Sequence, residues 1–390
     1  MTDQLAICVV TGTRADYGLL ESVMAALVAD PAFTLQLAAT GMHLSPEFGA
    51  TYREIESDGY AIDAKVEMLL SSDSGVGVAK SMGLATSGFA DVFARLQPDM
   101  VMLLGDRFEA LAAAQTALVM RIPLAHISGG DVTEGAFDDA IRHAITKMAH
   151  VHFVASEEAA RRVRQLGEAP GSVHVVGDPG LDRLRSLALL DRQALADDLD
   201  IRFGARNLLV TFHPATLDAQ PSTDQFAALL DALASLGPDA GLFFTRPNAD
   251  PEGRALIEML DQFVAETPNA WVFTSLGHLR YLSMMRAADV VVGNSSSGLL
   301  EAPSLGKPTV NLGSRQGGRL RAASVIDCAP QRGAIVAAIE TALDMDCRGI
   351  VNPYGDGHAA SRILAVLSGL GDPQSLLRKR FCDLAPGEGG

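Results

Sequence analysis

Several glycine-punctuated turns in this chain carry an arginine or an acid, and each follows a short apolar run. The first, TGTRADYG, offers Arg14 as a group able to reach a phosphate and Asp16 as one able to orient it, while an exposed loop ion pair is the plainer alternative. It lacks the lysine of a Walker loop and does not match GxGxxG. In VMLLGDRFE, Asp106 and Arg107 stand side by side after Gly105 at the mouth of a buried strand. An acid next to a guanidinium suits a ligand with both hydroxyls and phosphates. Helix capping by Asp106 is the alternative there.

The densest polar cluster is SGGDVTEGAFDDAIRHAITKMAH. Asp138 and Arg142 are four apart, as are Asp139 and His143, so each pair shares a helix face. Acids at a helix start are favoured by the dipole, which accounts for Asp139. It accounts less well for Asp131 and Glu134 together in the preceding loop. In GNSSSGLLEAP, a strand runs into Ser295 and Ser296, and a helix is read to begin near Gly298. Hydroxyls and backbone N–H groups there would form an anion site. Glu301, one turn along, would accept from ribose hydroxyls. His213, Asn248 and Arg315 occupy three further strand exits. His143, His150 and His152 do not form HExxH, so no metal site is predicted.

The elements that must hold these residues are strands alternating with helices. The run Ala6–Val10 precedes a helical pattern at Leu19, Leu20, Val23, Met24 and Leu27, and the unit recurs at 35–39, 100–104, 124–127 and 151–155. A second series runs at 208–212, 242–245, 271–274, 290–292 and 309–312. Alternation of this kind predicts parallel sheets covered on both faces, with the polar clusters at the carboxyl ends of the strands, where ligands bind. The fold class is therefore α/β: two Rossmann-like doubly wound domains facing a cleft. The boundaries read as 1–177 for an N-terminal domain, 178–204 for a linker, 205–366 for a C-terminal domain, and 367–384 for a final helix packing back across the domains. Residues 71–88, rich in Gly and Ser, read as a mobile loop entering a helix.

Length and composition agree with two domains: 390 residues, 48% of them hydrophobic, exceed one ordinary core. The net charge of −16 argues against nucleic acid as a partner. A small phosphate ligand needs only a few converging arginines. Cys8, Cys328, Cys347 and Cys382 lack CxxC spacing and read as inert thiols. With no basic region before the first apolar run and no apolar stretch of about 18 residues, neither leader nor membrane span is read, and the expected compartment is the cytoplasm.

Taken in order from residue 11 to about 319, TGTRADYG, GDRFE, GGDVTEGAFDDAIRHAITK, HPAT, RPN, GNSSSG with Glu301, and GSRQGGR resemble the hydrolysing UDP-N-acetylglucosamine 2-epimerases of sialic-acid-type sugar synthesis. The resemblance implies the glycosyltransferase-B architecture. It assigns Arg14, Arg107, Ser295, Ser296, Glu301 and Arg315 to uridine diphosphate, and sets Asp16, His43 and Asn248 near the sugar or phosphates. Asp106 and Asp138 match catalytic carboxylates, with Asp131 in reserve, and His213 matches a histidine at the diphosphate. One position departs: the motif reads His126, Ile127, Ser128, where relatives carry glutamate or histidine third. A serine is no carboxylate base, so Asp131, Glu134 or Glu109 supplies that group, or the substrate differs.

The activity so implied is conversion of UDP-GlcNAc to ManNAc plus UDP through 2-acetamidoglucal, without cofactor or metal. The implied partners are the UDP-sugar, the UDP product and further copies of the chain in a homo-oligomer. The alternatives are a 2-epimerase of UDP-2,4-diacetamido-2,4,6-trideoxyglucose, a glycosyltransferase of the same fold, and a nucleotide-sugar sensor.

Overall fold

The computed structural model describes residues 4–72, 74–132, 137–214, 220–247 and 253–383. The chain forms two compact units, Met1–Arg185 with Gly355–Gly390, and Ser186–Tyr354.

The first unit holds strands β1 (Leu5–Thr11), β2 (Phe33–Thr40), β3 (Ala64–Val66), β4 (Met100–Leu104), β5 (Leu124–Ile127), β6 (Val151–Val154) and β7 (Val173–Val175). They form one parallel sheet in the order β3-β2-β1-β4-β5-β6-β7. Its helices are α1 (Arg14–Ala29), α2 (Tyr52–Ser57), α3 (Gly75–Leu96), α4 (Phe108–Val119), α5 (Asp138–Met148) and α6 (Glu157–Gln165). Strand side chains alternate between faces, so β1 serves two cores. Ile7 and Val9 join Leu20 and Met24 of α1, while Cys8 and Val10 join Phe89 and Phe93 of α3. Burial on both faces is why β1 reads as a continuous apolar run rather than an alternating one.

Helix α7 (Gly180–Ser186) and helix α8 (Arg192–Leu199) fill the stretch expected to be a linker. Leu195 of α8 is fully buried with Leu209, Phe243 and Val291, which makes the helix part of the second unit's core. That unit contains β8 (Arg206–Thr211), β9 (Ala240–Thr245), β10 (Ala270–Phe273), β11 (Val290–Gly293), β12 (Thr309–Leu312) and β13 (Val325–Cys328), again all parallel, in the order β10-β9-β8-β11-β12-β13. Its remaining helices are α9 (Ser222–Ala234), α10 (Gly253–Glu266), α11 (Gly277–Ala287), α12 (Ser297–Leu300) and α13 (Arg332–Leu343).

Three further expectations change. The segment 71–88 is helical from Gly75, because Ser74 caps the helix by accepting from Gly77 N at 3.1 Å, and Ser81, Ala85, Phe89, Val92 and Phe93 bury one stripe. The last helix, α14 (Ala359–Gly369), lies earlier than 367–384 and belongs to the first unit, where Ile363 and Leu367 bury against α1. Both oxygens of Asp182 accept from its first N–H groups, Ala359 N at 2.8 Å and Ala360 N at 2.6 Å. Gly371 and Pro373 end it, leaving a short 3₁₀ turn at Pro373–Leu377 and no helix in 378–383. Third, the anion-binding helix read near Gly298 is only the four residues of α12, with Glu301 at its C-terminal cap and Pro303 two residues on. One turn aligns too few peptide dipoles to supply a macrodipole.

The four cysteines are free, three of them buried. Among the described residues no helix is long and apolar enough to cross a membrane.

Candidate functional site

Each sheet reverses its strand order once, between β1 and β4 in the first unit and between β8 and β11 in the second. In open α/β sheets the crevice outside the carboxyl ends of such a strand pair is the ligand site. Residues singled out from the sequence fall at both.

At the end of β1 the loop is built by a reciprocal cap. Asp16 accepts from Gly12 N at 2.8 Å and Thr13 N at 2.7 Å, and the Thr13 hydroxyl donates to it at 2.5 Å. Asp16 therefore shapes the loop from within instead of reaching outward. His43 is fully buried beneath the same loop, with Nε2 3.0 Å from Thr11 Oγ1 and Nδ1 2.7 Å from Thr51 Oγ1. Burial lowers its pKa, so it is a neutral brace. Arg14 opens α1, exposed, with Nε 3.1 Å from Glu54.

At the end of β4, Arg107 donates from Nε to Glu109 at 2.6 Å. Glu109 is 2% exposed, and its other oxygen has no hydrogen-bond partner among the described residues. It lies so close to the β1 loop that a Cβ on Gly12 would come within 2.6 Å of it. Burial raises its pKa, with Arg107 pulling the other way. One carboxyl thus ties the two loops of the switch point together.

Asp106 accepts from Arg142, a largely buried residue of α5 reaching across to β4. Burial raises the Asp106 pKa; Arg142 opposes this, Asp138 adds to it through its negative charge, and Arg107 opposes it. Asp138, in the first turn of the helix that carries Arg142, is thus close enough for its negative charge to bear on Asp106. Below them His126 is completely buried. Its Nε2 donates to Gly105 O at 2.7 Å and Thr146 Oγ1 sits 3.1 Å from Nδ1. Burial pushes its pKa down to about 3, so it anchors the strand end as a neutral ring. Ser128, at the departing position, has φ 62°, a backbone conformation that costs a residue with a Cβ about 1–2 kcal/mol. Asp131 is part-buried in the loop after β5. Asp139, an acid in the first turn of α5, pairs with His143 at 3.4 Å, which fits the reading that the two share a helix face. Glu134 lies outside the described residues.

In the second unit Asn294 joins the two strand ends. Its Oδ1 accepts from His213 N at 2.7 Å and its Nδ2 donates to His213 O at 2.8 Å. Its own carbonyl accepts from Arg315 Nη1 at 3.0 Å and Gln316 Nε2 at 2.8 Å. Gly293 has φ 136°, and a Cβ there would lie 1.9 Å from Thr211 O, so only glycine brings β11 this close to β8. Ser295 accepts from Ser297 Oγ at 3.0 Å, and Ser297 meets Tyr281 OH at 2.5 Å. Ser295, Ser296 and Glu301 are part-buried and Arg315 is exposed. Hydroxyls, backbone groups and one guanidinium thus collect around β11, the equipment for a phosphate ester. Asn248 lies outside the described residues.

Within the first unit, then, the structure gathers Asp106, Arg107 and Asp138 with Glu109 and Arg142. Within the second it gathers His213, Ser295, Ser296, Glu301 and Arg315. Arg142 is the residue whose part the sequence reading did not assign, while Glu109, offered there as a stand-in base, is here the partner of Arg107, and His126 of the quoted motif is a buried anchor. The i,i+4 spacing from Asp138 marked Arg142, and Glu109 was visible two residues after Arg107. No group of His, Cys, Asp and Glu with metal-ligating geometry occurs among the described residues.

A family model described as UDP-N-acetylglucosamine 2-epimerase matches residues 25–368. A Campylobacter jejuni protein named GDP/UDP-N,N'-diacetylbacillosamine 2-epimerase (hydrolyzing) is 42% identical over 82% of this chain and 83% of its own length. The Legionella pneumophila UDP-N,N'-diacetylbacillosamine 2-epimerase (hydrolyzing) is 33% identical over 96% of this chain and 98% of its own. The crystal structure of the Neisseria meningitidis UDP-GlcNAc 2-epimerase bound to UDP-GlcNAc superposes with a TM-score of 0.75, at 19% identity, over 94% of this chain and all of that one. This last likeness is one of fold.

Proposed function

Because the chain belongs to the UDP-N-acetylglucosamine 2-epimerase family, we propose that it is a hydrolysing 2-epimerase that converts a UDP-linked 2-acetamido sugar into the free 2-epimer and UDP. The observation that supports this reading is geometric: Arg142, on the helix whose first turn carries Asp138, donates to Asp106 and so ties the supports of the two carboxyl groups together at the switch point of the first sheet. A protein that only bound or sensed a nucleotide sugar would have no use for it.

The chemistry sets the order of events. The hydrogen on C2 is weakly acidic, so the C1–O bond must break ahead of proton removal and the electron pair must leave with the β-phosphate of UDP. Arg14, Arg107 and Arg315, with Ser295 and Ser296, are proposed to take up that charge, while Glu301 accepts from the ribose and His213 stands at the diphosphate. The first carboxylate removes the C2 proton, giving a C1=C2 double bond. Water then adds at C1 as the second carboxyl returns a proton to the opposite face of C2 and takes the water's proton in exchange, and the first carboxyl releases the original C2 proton to solvent. Asp106 and Asp138 are the proposed pair, with Asp131 held in reserve. Asp16 and His43 act indirectly, by holding the β1 loop. Neither metal nor nicotinamide is called for by elimination followed by addition.

Two substrates fit this scheme. The motif resemblance put UDP-GlcNAc first. The names of the C. jejuni and L. pneumophila relatives, together with serine at position 128, favour UDP-2,4-diacetamido-2,4,6-trideoxyglucose, and that is the substrate we propose. Proton NMR of the enzyme with each UDP-sugar in deuterated water tests the function. Free sugar carrying deuterium at C2 alongside UDP is the expected result. Intact donor that turns over only when an acceptor is added would mean a glycosyltransferase instead, and binding without turnover a sensor.

A further inference from the structure

A cavity of about 800 Å³ opens beside the first unit's switch point, walled by the turn after β2, the residues after β3, the start of α3 and Phe108. Its wall at Gly41 touches the machinery described above: a Cβ there would lie 3.0 Å from Gly12 O and 3.2 Å from Glu109 Oε1. Phe108 follows Arg107 directly in the chain.

The lining has a definite chemistry. Met42, Phe48, Leu70 and Phe108 supply apolar surface, and Phe48 and Leu70 are 48% and 40% exposed, so both leave apolar area open to a ligand in the cavity. Ser45 and Ser72 add hydroxyls able to pair with an amide. Glu47 and Glu67 are the charged groups, and no lysine or arginine lines the cavity among the described residues. An anion is excluded on those grounds. A volume of this size holds a substituted hexose.

Resting on the epimerase reading above, we propose that this cavity is the specificity subsite for the half of the sugar remote from UDP, and that it selects a 6-deoxy sugar bearing an acylamino group at C4. Carbons 3 to 6 of N-acetylglucosamine carry three hydroxyls, which gain nothing from the apolar part of the wall at Met42, Phe48, Leu70 and Phe108. The deoxy diacetamido sugar replaces two of them with a C-methyl and an N-acetyl group. Their methyls cover Phe48 and Leu70, and the amide meets the serine hydroxyls. The gain comes from removing both surfaces from water.

The test compares kcat/KM for UDP-2,4-diacetamido-2,4,6-trideoxyglucose and UDP-GlcNAc in the wild type, Phe48→Ala and Leu70→Gln. Both side chains are already substantially exposed, so neither change endangers folding, and thermal melting verifies this. The wild type is expected to favour the deoxy diacetamido sugar, and each variant to reduce that preference at least tenfold. Variants that keep the wild-type preference overturn the subsite alone; a wild type preferring UDP-GlcNAc overturns the subsite and the choice of substrate, while the 2-epimerase reading stands. A wild type that releases UDP from neither sugar overturns both the subsite and that reading.

Discussion

Arg142 of α5 donates a hydrogen bond to Asp106 at the end of β4, and by doing so couples the helix that carries Asp138 to the strand that carries its partner carboxylate. The two acids are thirty-two residues apart in sequence, but one guanidinium sets the distance between their supports.

Replacing Arg142 with Met removes the charge that holds the Asp106 pKa down, so that pKa climbs further. Burial already raises it. A raised carboxyl pKa means that the folded state favours the protonated form, so this group's contribution to stability is present at low pH and lost as pH rises through the folded value. The variant is expected to move the acid limb of the kcat/KM profile to higher pH. An unmoved limb in a stopped-assay pH series would disconnect Arg142 from the titrating acid.

Asp138→Asn keeps the shape of the site and removes one proton carrier. Affinity for UDP, measured by calorimetry, should stay within threefold of wild type. Turnover should fall by about 10²–10⁴, roughly 3–5 kcal/mol of barrier. Wild-type turnover in this variant would take Asp138 out of the mechanism.

Glu109 is expected to work through Arg107, which it holds at 2.6 Å. In Glu109→Gln the amide fills the same space without the charge, and Arg107 loses its fixed direction. KM for the UDP-sugar should rise about tenfold, ~1.4 kcal/mol, with a smaller change in kcat. A fall in kcat alone would point to a direct role in proton transfer.

Gly293→Ala places a methyl group 1.9 Å from Thr211 O at φ 136°. Relief requires β11 to move away from β8, through the Asn294 bridge. The cost should be about 3 kcal/mol or more, seen as a lower urea midpoint together with weakened UDP binding. A midpoint equal to wild type would show that the two strand ends yield more readily than this contact implies.

Glu168 provides a test far from the chemistry. It is 2% exposed, and burial alone would raise its pKa; hydrogen bonds from His152, Lys147 and Lys379 overcome that and hold it at about 2. A depressed carboxyl pKa contributes stability above the unfolded value, near 4.5, that is lost as pH falls through about 2. Glu168→Gln should therefore lower stability by about 3 kcal/mol at neutral pH. The gap to wild type should close between pH 5 and pH 2, and chemical denaturation across that range measures it.

The sequence by itself determined the alternation of strands and helices, the parallel sheets, and the strand exits where Arg107, Ser296 and Arg315 stand. Those features are written in local patterns: apolar periodicity, glycine turns and i,i+4 spacing act over a few residues and need no distant partner. Tertiary structure alone decided that Asn294 would bridge to His213, eighty-one residues away, and that Asp16 and His43 would face inward to brace a loop. It also returned α14 to the first unit through Asp182, and limited α12 to a single turn. Each depends on which strand ends become neighbours once the sheet order is set. A short polar side chain has no fixed partner until that packing brings one within hydrogen-bonding distance.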